Sequence, residues 1–238
     1  MNMEEMINKY FRPGRLPHIW CPGCGNGVVT GSVVKAIAKL DLSKDDVAVI
    51  SGIGCSSRAS GYLDFNTVHS AHGRAIPVAT GVKLAEPKLN VIVLTGDGEL
   101  NEGSNWEAAM SAAQFKLSNI VVFVDNNKCM IDGRVDDEMK VEPLDEKFAA
   151  FGFNVTRIDG HNMKQLNDAI EAAIKNHQDG GDKPTAIIMD TYKGAGVDFM
   201  QDNYLWHYGS LDDEKMAAAN KSLDKYLQER IARIEQEA

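Results

Sequence analysis

Short, continuous apolar runs alternate with stretches of helical spacing along most of this chain. The apolar runs are bounded by glycines and turn residues, as buried strands are, whereas the other stretches repeat their apolar residues with the period of a helix. The runs predict strands over 47–54, 91–96, 119–127, 153–160 and 185–193, and the other stretches predict helices over 28–40, 77–85, 105–117 and 163–177. Apolar strands that alternate with helices indicate an α/β fold, a parallel β-sheet flanked by helices on both faces.

The size and charge of the chain limit the classes of protein to which it can belong. Its 238 residues, 44% of them hydrophobic, suit a single domain over 1–238, with an amino-terminal arm over 1–20 and a charged helix over 212–238. That helix is a solvated surface helix or a subunit contact. A net charge of -9 argues against a nucleic-acid groove. Small molecules and protein partners remain as binding partners. No apolar stretch is as long as a membrane span, and the polar start is unlike a signal peptide, so we expect a cytoplasmic protein.

The stretch GDGELNEG places an acidic turn directly behind one of the predicted strands. Asp97 lies between two glycines at the end of this strand, and Asn126 and Asn127 end the next long apolar run. In open parallel sheets, ligands bind outside the carboxyl ends of the strands. Carboxylate and amide oxygens there suit a divalent ion such as Mg²⁺ together with a diphosphate, whose phosphates the backbone amides of the turn can bind. A Gly-Asp-Gly sequence is also common in ordinary turns, and that alternative stays open.

The GDG sequence followed some thirty residues later by NN resembles the cofactor motif of thiamine diphosphate-dependent enzymes. The resemblance implies thiamine diphosphate and Mg²⁺ as cofactors, with Asp97, Asn127 and the backbone carbonyl of Cys129 as magnesium ligands. It also implies contacts to the cofactor from Gly96, Gly98 and Glu99.

A longer resemblance covers roughly residues 90–210. GDGELNEGSNWEAAMSAAQFKLSNIVVFVDNNKCMIDG, and after it RIDGHN, KPTAIIMDTYKGAGVDFM and DNYLWHYG, are similar to the amino-terminal part of transketolases. This similarity implies that Glu102 lies near a subunit interface and that His207 lies near the cofactor or substrate, which makes both of them candidate catalytic residues. An ordinary loop position for His207 is the alternative.

The first third of the chain resembles a different branch of the same superfamily. WCPGCGNG, SGIGCSSR and HGRAIPVATGVKLA are similar to the β subunits of 2-oxoacid:ferredoxin oxidoreductases. This implies that Gly54, His72 and Gly73 lie near the cofactor. It also matches Cys21, Cys24 and Cys55 with three of the four cysteines that hold an iron–sulfur cluster of the 4Fe-4S type in that family. The fourth has no counterpart, so an iron–sulfur cluster, a zinc or other closed site, and unligated thiols all stay open.

Both resemblances imply that the chain acts with a partner. The chain has no room for the pyrimidine domain of thiamine diphosphate enzymes, so it resembles the diphosphate-binding half of a split enzyme. We expect a separate subunit that supplies the activating glutamate, in an α2β2 assembly. The favoured function is transketolase-like transfer of a two-carbon ketol unit between small molecules. A 2-oxoacid oxidoreductase β subunit is the alternative, and a non-catalytic cofactor-binding subunit is a third class.

Overall fold

The computed structural model describes residues 2–21 and 24–237, and its centre is a six-stranded sheet in which every neighbouring pair is parallel. The strands are β1 (Val47–Ser51), β2 (Asn66–His69), β3 (Asn90–Gly96), β4 (Ile120–Asn126), β5 (Asn154–Asp159) and β6 (Thr185–Asp190). Their order across the sheet is β2-β1-β3-β4-β6-β5, so that β3 and β4 lie in the middle.

Helices and short helical turns connect these strands. The α-helices are α1 (Met3–Tyr10), α2 (Gly25–Lys39), α3 (Arg58–Tyr62), α4 (Ala75–Ala85), α5 (Gly103–Gln114), α6 (Val135–Glu138), α7 (Leu144–Ala150), α8 (Met163–Gln178) and α9 (Asp213–Glu237). Single 3₁₀ turns occupy Lys44–Asp46, Gly98–Asn101 and Tyr204–Tyr208. None of the helices in residues 2–21 and 24–237 combines the length and the apolar character needed to cross a membrane.

Two apolar layers cover the two faces of the sheet. On one face, Phe123 of β4 packs in a cluster with residues of α2 and α8. On the other face, Val122 packs in a cluster with residues of α4, α5 and α7. Every residue of β4 is buried, as expected of a strand covered on both sides. The predicted fold class is therefore confirmed.

The predicted strands and helices are present, with shifted ends. The predicted strand over 47–54 stops at Ser51, because the chain then turns through Gly54, whose φ is +84°. The helix predicted over 28–40 begins three residues earlier, at Gly25. The sequence reasoning missed α1, α3 and the edge strand β2, and it treated the stretch that contains α6 and α7 as a loop.

The first residues pack against the body of the domain. α1 begins with a capping box between Asn2 and Glu5, which satisfies amides at the start of the helix. Tyr10 at its end is buried and stacks on Phe65, with ring centroids 5.5 Å apart. Phe11 then forms an antiparallel bridge with Leu63. The arm expected over 1–20 thus contains a helix whose end lies in the apolar core.

Candidate functional site

A cleft of about 790 Å³ opens at the carboxyl ends of β1, β3 and β4. Most of the site residues proposed from the sequence line it, namely Cys21, Gly54, Cys55, His72, Gly96, Asp97, Gly98, Glu99, Asn127, Cys129 and His207. Sequence reasoning missed other residues of its wall, among them Trp20, Asn26, Arg58 and Asp132. The topology explains this convergence, since parallel strands that lie side by side end at the same edge of the sheet.

Asp97 follows the last residue of β3 and is held in place by backbone amides. Its Oδ1 accepts a hydrogen bond from the amide of Gly98 at 2.7 Å, and its Oδ2 accepts one from the amide of Lys128 at 2.6 Å. Burial, reinforced by the charge of Asp125, raises the pKa of Asp97 to about 7. A buried carboxylate under these conditions is stabilised in its charged form by a cation. The position therefore fits a metal ligand.

Asn127 lies one residue beyond β4 and lines the same cleft as Asp97. The register pairs Gly96 with Asp125, which brings the two strand ends together as the sequence predicted. The Asn127 side chain donates from Nδ2 to Asp125 Oδ2 at 3.1 Å and accepts at Oδ1 from the amide of Cys129 at 2.9 Å. Oxygen donors from Asp97 and Asn127 at one edge are a set that suits Mg²⁺. The predicted role of the Cys129 carbonyl stays a prediction.

Glu99 points a second carboxylate into the cleft. Its Oε1 accepts a hydrogen bond from the amide of Gly73 at 3.0 Å. Its Oε2 is buried and forms no hydrogen bond with the part of the chain that the structure describes. Burial raises the pKa of Glu99. Gly52 lies so close that the Glu99 carboxylate occupies the place where a Cβ would be. The buried Oε2 of Glu99 can therefore accept a hydrogen bond from a polar group of a bound cofactor.

Glu102 and His72 form a pair at the rim of the cleft. His72 Nδ1 lies 3.0 Å from Glu102 Oε1, and about half of each side chain is exposed. Gly73 packs directly against the Glu102 side chain. A neighbouring hydrogen bond joins the guanidinium of Arg74 to Ser104. The predicted place of Glu102 at a subunit interface stays a prediction.

The three amino-terminal cysteines and His207 lie close together at one side of the cleft. Cys55 Sγ is 3.9 Å from His207 Nε2, and Cys21 Sγ donates to the carbonyl of His207 at 3.3 Å. Hydrogen bonds from Cys24 and then His207 lower the pKa of Cys55 to about 4, and the same contact between the two thiols raises the pKa of Cys24. Over residues 2–21 and 24–237, no group of three His, Cys, Asp or Glu side chains has an arrangement that could hold a metal ion.

Most of the chain matches a known protein family. Residues 79–232 match the family described as "Transketolase, thiamine diphosphate binding domain". The chain belongs to this transketolase family. The cofactor in the family's description agrees with the oxygen donors that Asp97 and Asn127 present in the cleft.

Individual relatives of this transketolase-family chain come from two branches. It is 40% identical over 150 residues to one of the subunits of apulose-4-phosphate transketolase from Actinobacillus succinogenes, a match that covers 61% of this chain and 52% of that one. It is 53% identical over 92 residues to 2-oxoglutarate synthase subunit KorB from Methanocaldococcus jannaschii, covering 39% of this chain and 34% of that one. The chain thus spans about half, or less, of the length of these relatives.

A solved structure has the same fold. The 2-oxoglutarate:ferredoxin oxidoreductase from Magnetococcus marinus, with 2-oxoglutarate, coenzyme A and succinyl-CoA bound, is 26% identical, with a TM-score of 0.63. The match covers 77% of this transketolase-family chain and 67% of that chain. The fold is therefore common to proteins of both branches.

Sequence reasoning on this transketolase-family chain missed the residues directly behind the cleft. Asp125 is buried, and its carboxylate bonds Asn26, Asn127 and Thr191. Burial raises its pKa. Lys193, which is also buried, lies near enough for its charge to act on Asp125. The available signal was the acidic residue that interrupts the run IVVFVDN.

Proposed function

We propose that this chain is the diphosphate-binding subunit of a two-subunit, thiamine diphosphate-dependent transketolase-like enzyme. The enzyme transfers a two-carbon ketol unit from a ketose or ketose phosphate donor to an aldehyde acceptor. The observation that carries this proposal is the arrangement of Asp97 and Asn127, two oxygen donors at the ends of the adjacent strands β3 and β4. The relative from Actinobacillus, named as part of an apulose-4-phosphate transketolase, supports the reaction class.

In this proposal, two kinds of group hold the cofactor in the cleft, oxygen ligands for the metal and backbone amides for the diphosphate. Asp97, Asn127 and the carbonyl of Cys129 would hold Mg²⁺, and the amides of the turn around Gly98 would face the diphosphate. When bound, thiamine diphosphate supplies a nucleophilic carbon that attacks a ketone and an electron sink for the carbon–carbon bond that breaks. The buried carboxylate of Glu99 would contact the cofactor from the wall of the same cleft.

Within the same cleft, His207 is the candidate for contact with the substrate. Its ring is fixed beside the Cys55 thiol, at the side of the cleft where Cys21 and Trp20 also lie. An imidazole in this position can donate or accept a hydrogen bond at a substrate oxygen. His72, paired with Glu102, lies at the rim and is a second polar contact.

The proposal includes a partner subunit. In it, a separate chain supplies the activating glutamate, the cofactor lies between the two chains, and the assembly is α2β2. The Actinobacillus relative is itself named as one subunit of its enzyme, which supports the same role for this chain. The four cysteines are all free, which fits the reducing conditions of the cytoplasm, where we place the enzyme.

A binding experiment tests the metal site before any activity is sought. In a calorimetric titration, thiamine diphosphate is added to the wild-type chain and its partner in the presence of Mg²⁺. The heat of binding should saturate. Asp97→Asn should abolish it, because one charged metal ligand is lost. Asp159→Asn is the matched control, since this exposed aspartate ends the edge strand β5 away from the cleft. Equal binding by the Asp97→Asn variant and the wild type would refute the proposed site.

One observation favours a second function, that of a 2-oxoacid oxidoreductase β subunit. Cys24, Cys55 and His207 are neighbours beside the cleft, and the KorB relative belongs to a 2-oxoglutarate synthase. Anaerobic purification with iron and sulfide analysis separates the two functions. About four irons per chain, lost in Cys24→Ser, would support oxidation of a 2-oxoacid. An iron-free protein that transfers a ketol unit with its partner would support the transketolase reaction.

A further inference from the structure

One buried carboxylate joins three separate segments behind the cleft. Asp125, near the end of the central strand β4, accepts a hydrogen bond from Asn26 Nδ2 at 2.8 Å and from Asn127 Nδ2 at 3.1 Å, both at Oδ2. Thr191, just after β6, donates to its Oδ1 at 2.5 Å. Only 1% of Asp125 is exposed, so water cannot replace these donors. The three segments are therefore held to each other through this side chain.

The first of these bonds fixes the start of α2 and the cysteine before it. Asn26 lies in the first turn of α2, and its Nδ2 also lies 3.8 Å from Cys24 Sγ. Gly25 packs so closely on the Asp125 carboxylate that any side chain there would collide with it. Cys24, the buried residue that directly precedes this helix, is thereby kept beside the Cys55 thiol.

The second bond fixes the amide of Asn127. The oxygen and nitrogen of an amide point in different directions, so binding Nδ2 to Asp125 sets where Oδ1 points. This oxygen accepts from the amide of Cys129 and belongs to the side chain that lines the cleft. The same carboxylate oxygen, Oδ2, thus serves both Asn26 and Asn127.

The charge of this carboxylate has a nearby counterpart. Lys193 is only 2% exposed, and its positive charge acts on Asp125 as well as on Cys24 and Cys55. Buried charges are stable only when they are compensated and hydrogen-bonded. The cysteines and the proposed metal ligand therefore share one electrostatic environment in addition to one hydrogen-bond acceptor.

We propose that Asp125 is a positioning residue that couples the cysteines Cys24 and Cys55 to the metal ligand Asn127. In this arrangement, a change that loosens the start of α2 also weakens the cofactor metal site. A change that displaces Asn127 likewise loosens the start of α2. The inference deepens the proposed function and rests on it, because it takes Asn127 as a ligand of Mg²⁺. Residues that orient a metal ligand typically change metal affinity by about 10–100-fold when they are replaced.

The test uses Asp125→Asn, which keeps the volume and replaces one acceptor oxygen by a donor. Asp190→Asn, at the end of the adjacent strand β6, is the matched control, since Asp190 bonds Arg157 and Asn126 and does not line the cleft. The first readout is the affinity of the chain with its partner for Mg²⁺ and thiamine diphosphate. The second is the rate at which iodoacetamide alkylates Cys24 without cofactor, followed by peptide mass spectrometry.

We expect Asp125→Asn to weaken cofactor binding at least about tenfold at low Mg²⁺ and to regain much of it at high Mg²⁺. A misplaced ligand is rescued by excess metal, whereas a general loss of structure is not. We also expect Cys24 to lose its protection from alkylation. Asp190→Asn should change neither readout. Wild-type affinity in Asp125→Asn, or unchanged protection of Cys24, would overturn the coupling.

Two further cases are decided by additional measurements. Should Asp125→Asn fail to fold, Thr191→Val removes one of the three bonds with little change in shape, and it should move both readouts in the same directions by smaller factors. No movement in either readout would overturn the proposal. Should the wild-type complex bind no thiamine diphosphate, the proposed function and the coupling to a cofactor metal both fail. Loss of Cys24 protection in the variant would then show only that Asp125 anchors α2.

Discussion

Replacing Gly52 by alanine should damage the cleft through a single methyl group. The Cβ would fall on the carboxylate of Glu99, which is buried and cannot move into solvent. Forcing an extra carbon into packed surroundings costs about 1–3 kcal/mol. If Glu99 also leaves the amide of Gly73, its charged hydrogen bond is lost, at about 1.5–3 kcal/mol. The free energy of unfolding should therefore fall by about 1–3 kcal/mol, or by about 2.5–6 kcal/mol when this hydrogen bond is also lost.

Gly61→Ala is the matched control for this change. Gly61 lies in α3, and the space around its missing Cβ is empty. There, alanine should leave stability unchanged or raise it by about 0.4–1 kcal/mol. Urea unfolding of both variants, read by circular dichroism, measures the two values. A loss below about 0.5 kcal/mol for Gly52→Ala, the range of ordinary surface changes, would refute the reasoning about Glu99.

Three further predictions concern the stability of the domain. Burial alone would raise the pKa of Glu142, but its bonds with Arg157 hold this pKa below the usual value. The ion pair with Arg157 therefore stabilises the folded state at neutral pH, and this contribution is lost as the pH falls through the lowered pKa. Arg157→Gln should therefore cost about 1 kcal/mol at pH 7 and less towards pH 3 in urea titrations, and a constant difference would contradict the assignment. Tyr10→Ala should cost about 3–5 kcal/mol, because it empties a buried site stacked on Phe65; a thermal shift equal to that of an exposed site would argue against this packing. Burial lowers the pKa of Lys83 to about 8, so the wild type should gain stability relative to Lys83→Met as the pH rises from 8 to 10, and parallel pH profiles would contradict this.

The fold was predictable where a strand is apolar on both sides. β3, β4 and β6 lie inside the sheet, covered by helices, and their runs of branched apolar residues have few other structural solutions. β2 was missed because it is a short edge strand, with the sequence NTVH and mostly exposed residues. Its pairing with β1 depends on tertiary contacts that no local pattern reports.

The site was predictable where its residues follow a strand. Asp97 and Asn127 come directly after apolar runs, so the strand order was enough to bring them together. Asp125 was missed because it lies inside the run, and its partners Asn26 and Thr191 are distant in the sequence. The resemblance to oxidoreductase β subunits implied that Cys24 and Cys55 are neighbours, but the approach of His207 depends on how the loop after β6 folds back towards the cleft.

The order of strands in the sheet has a consequence for the nascent chain. β4 pairs with β3 on one side and with β6 on the other, yet β6 is synthesised only after β5 and α8. Until then, the edge of β4 that β6 later covers carries unpaired backbone groups along a fully apolar stretch, IVVFV. β5 gives no protection, because it pairs with β6 alone. During translation, this strand edge is therefore prone to aggregation, and we expect chaperone contacts there.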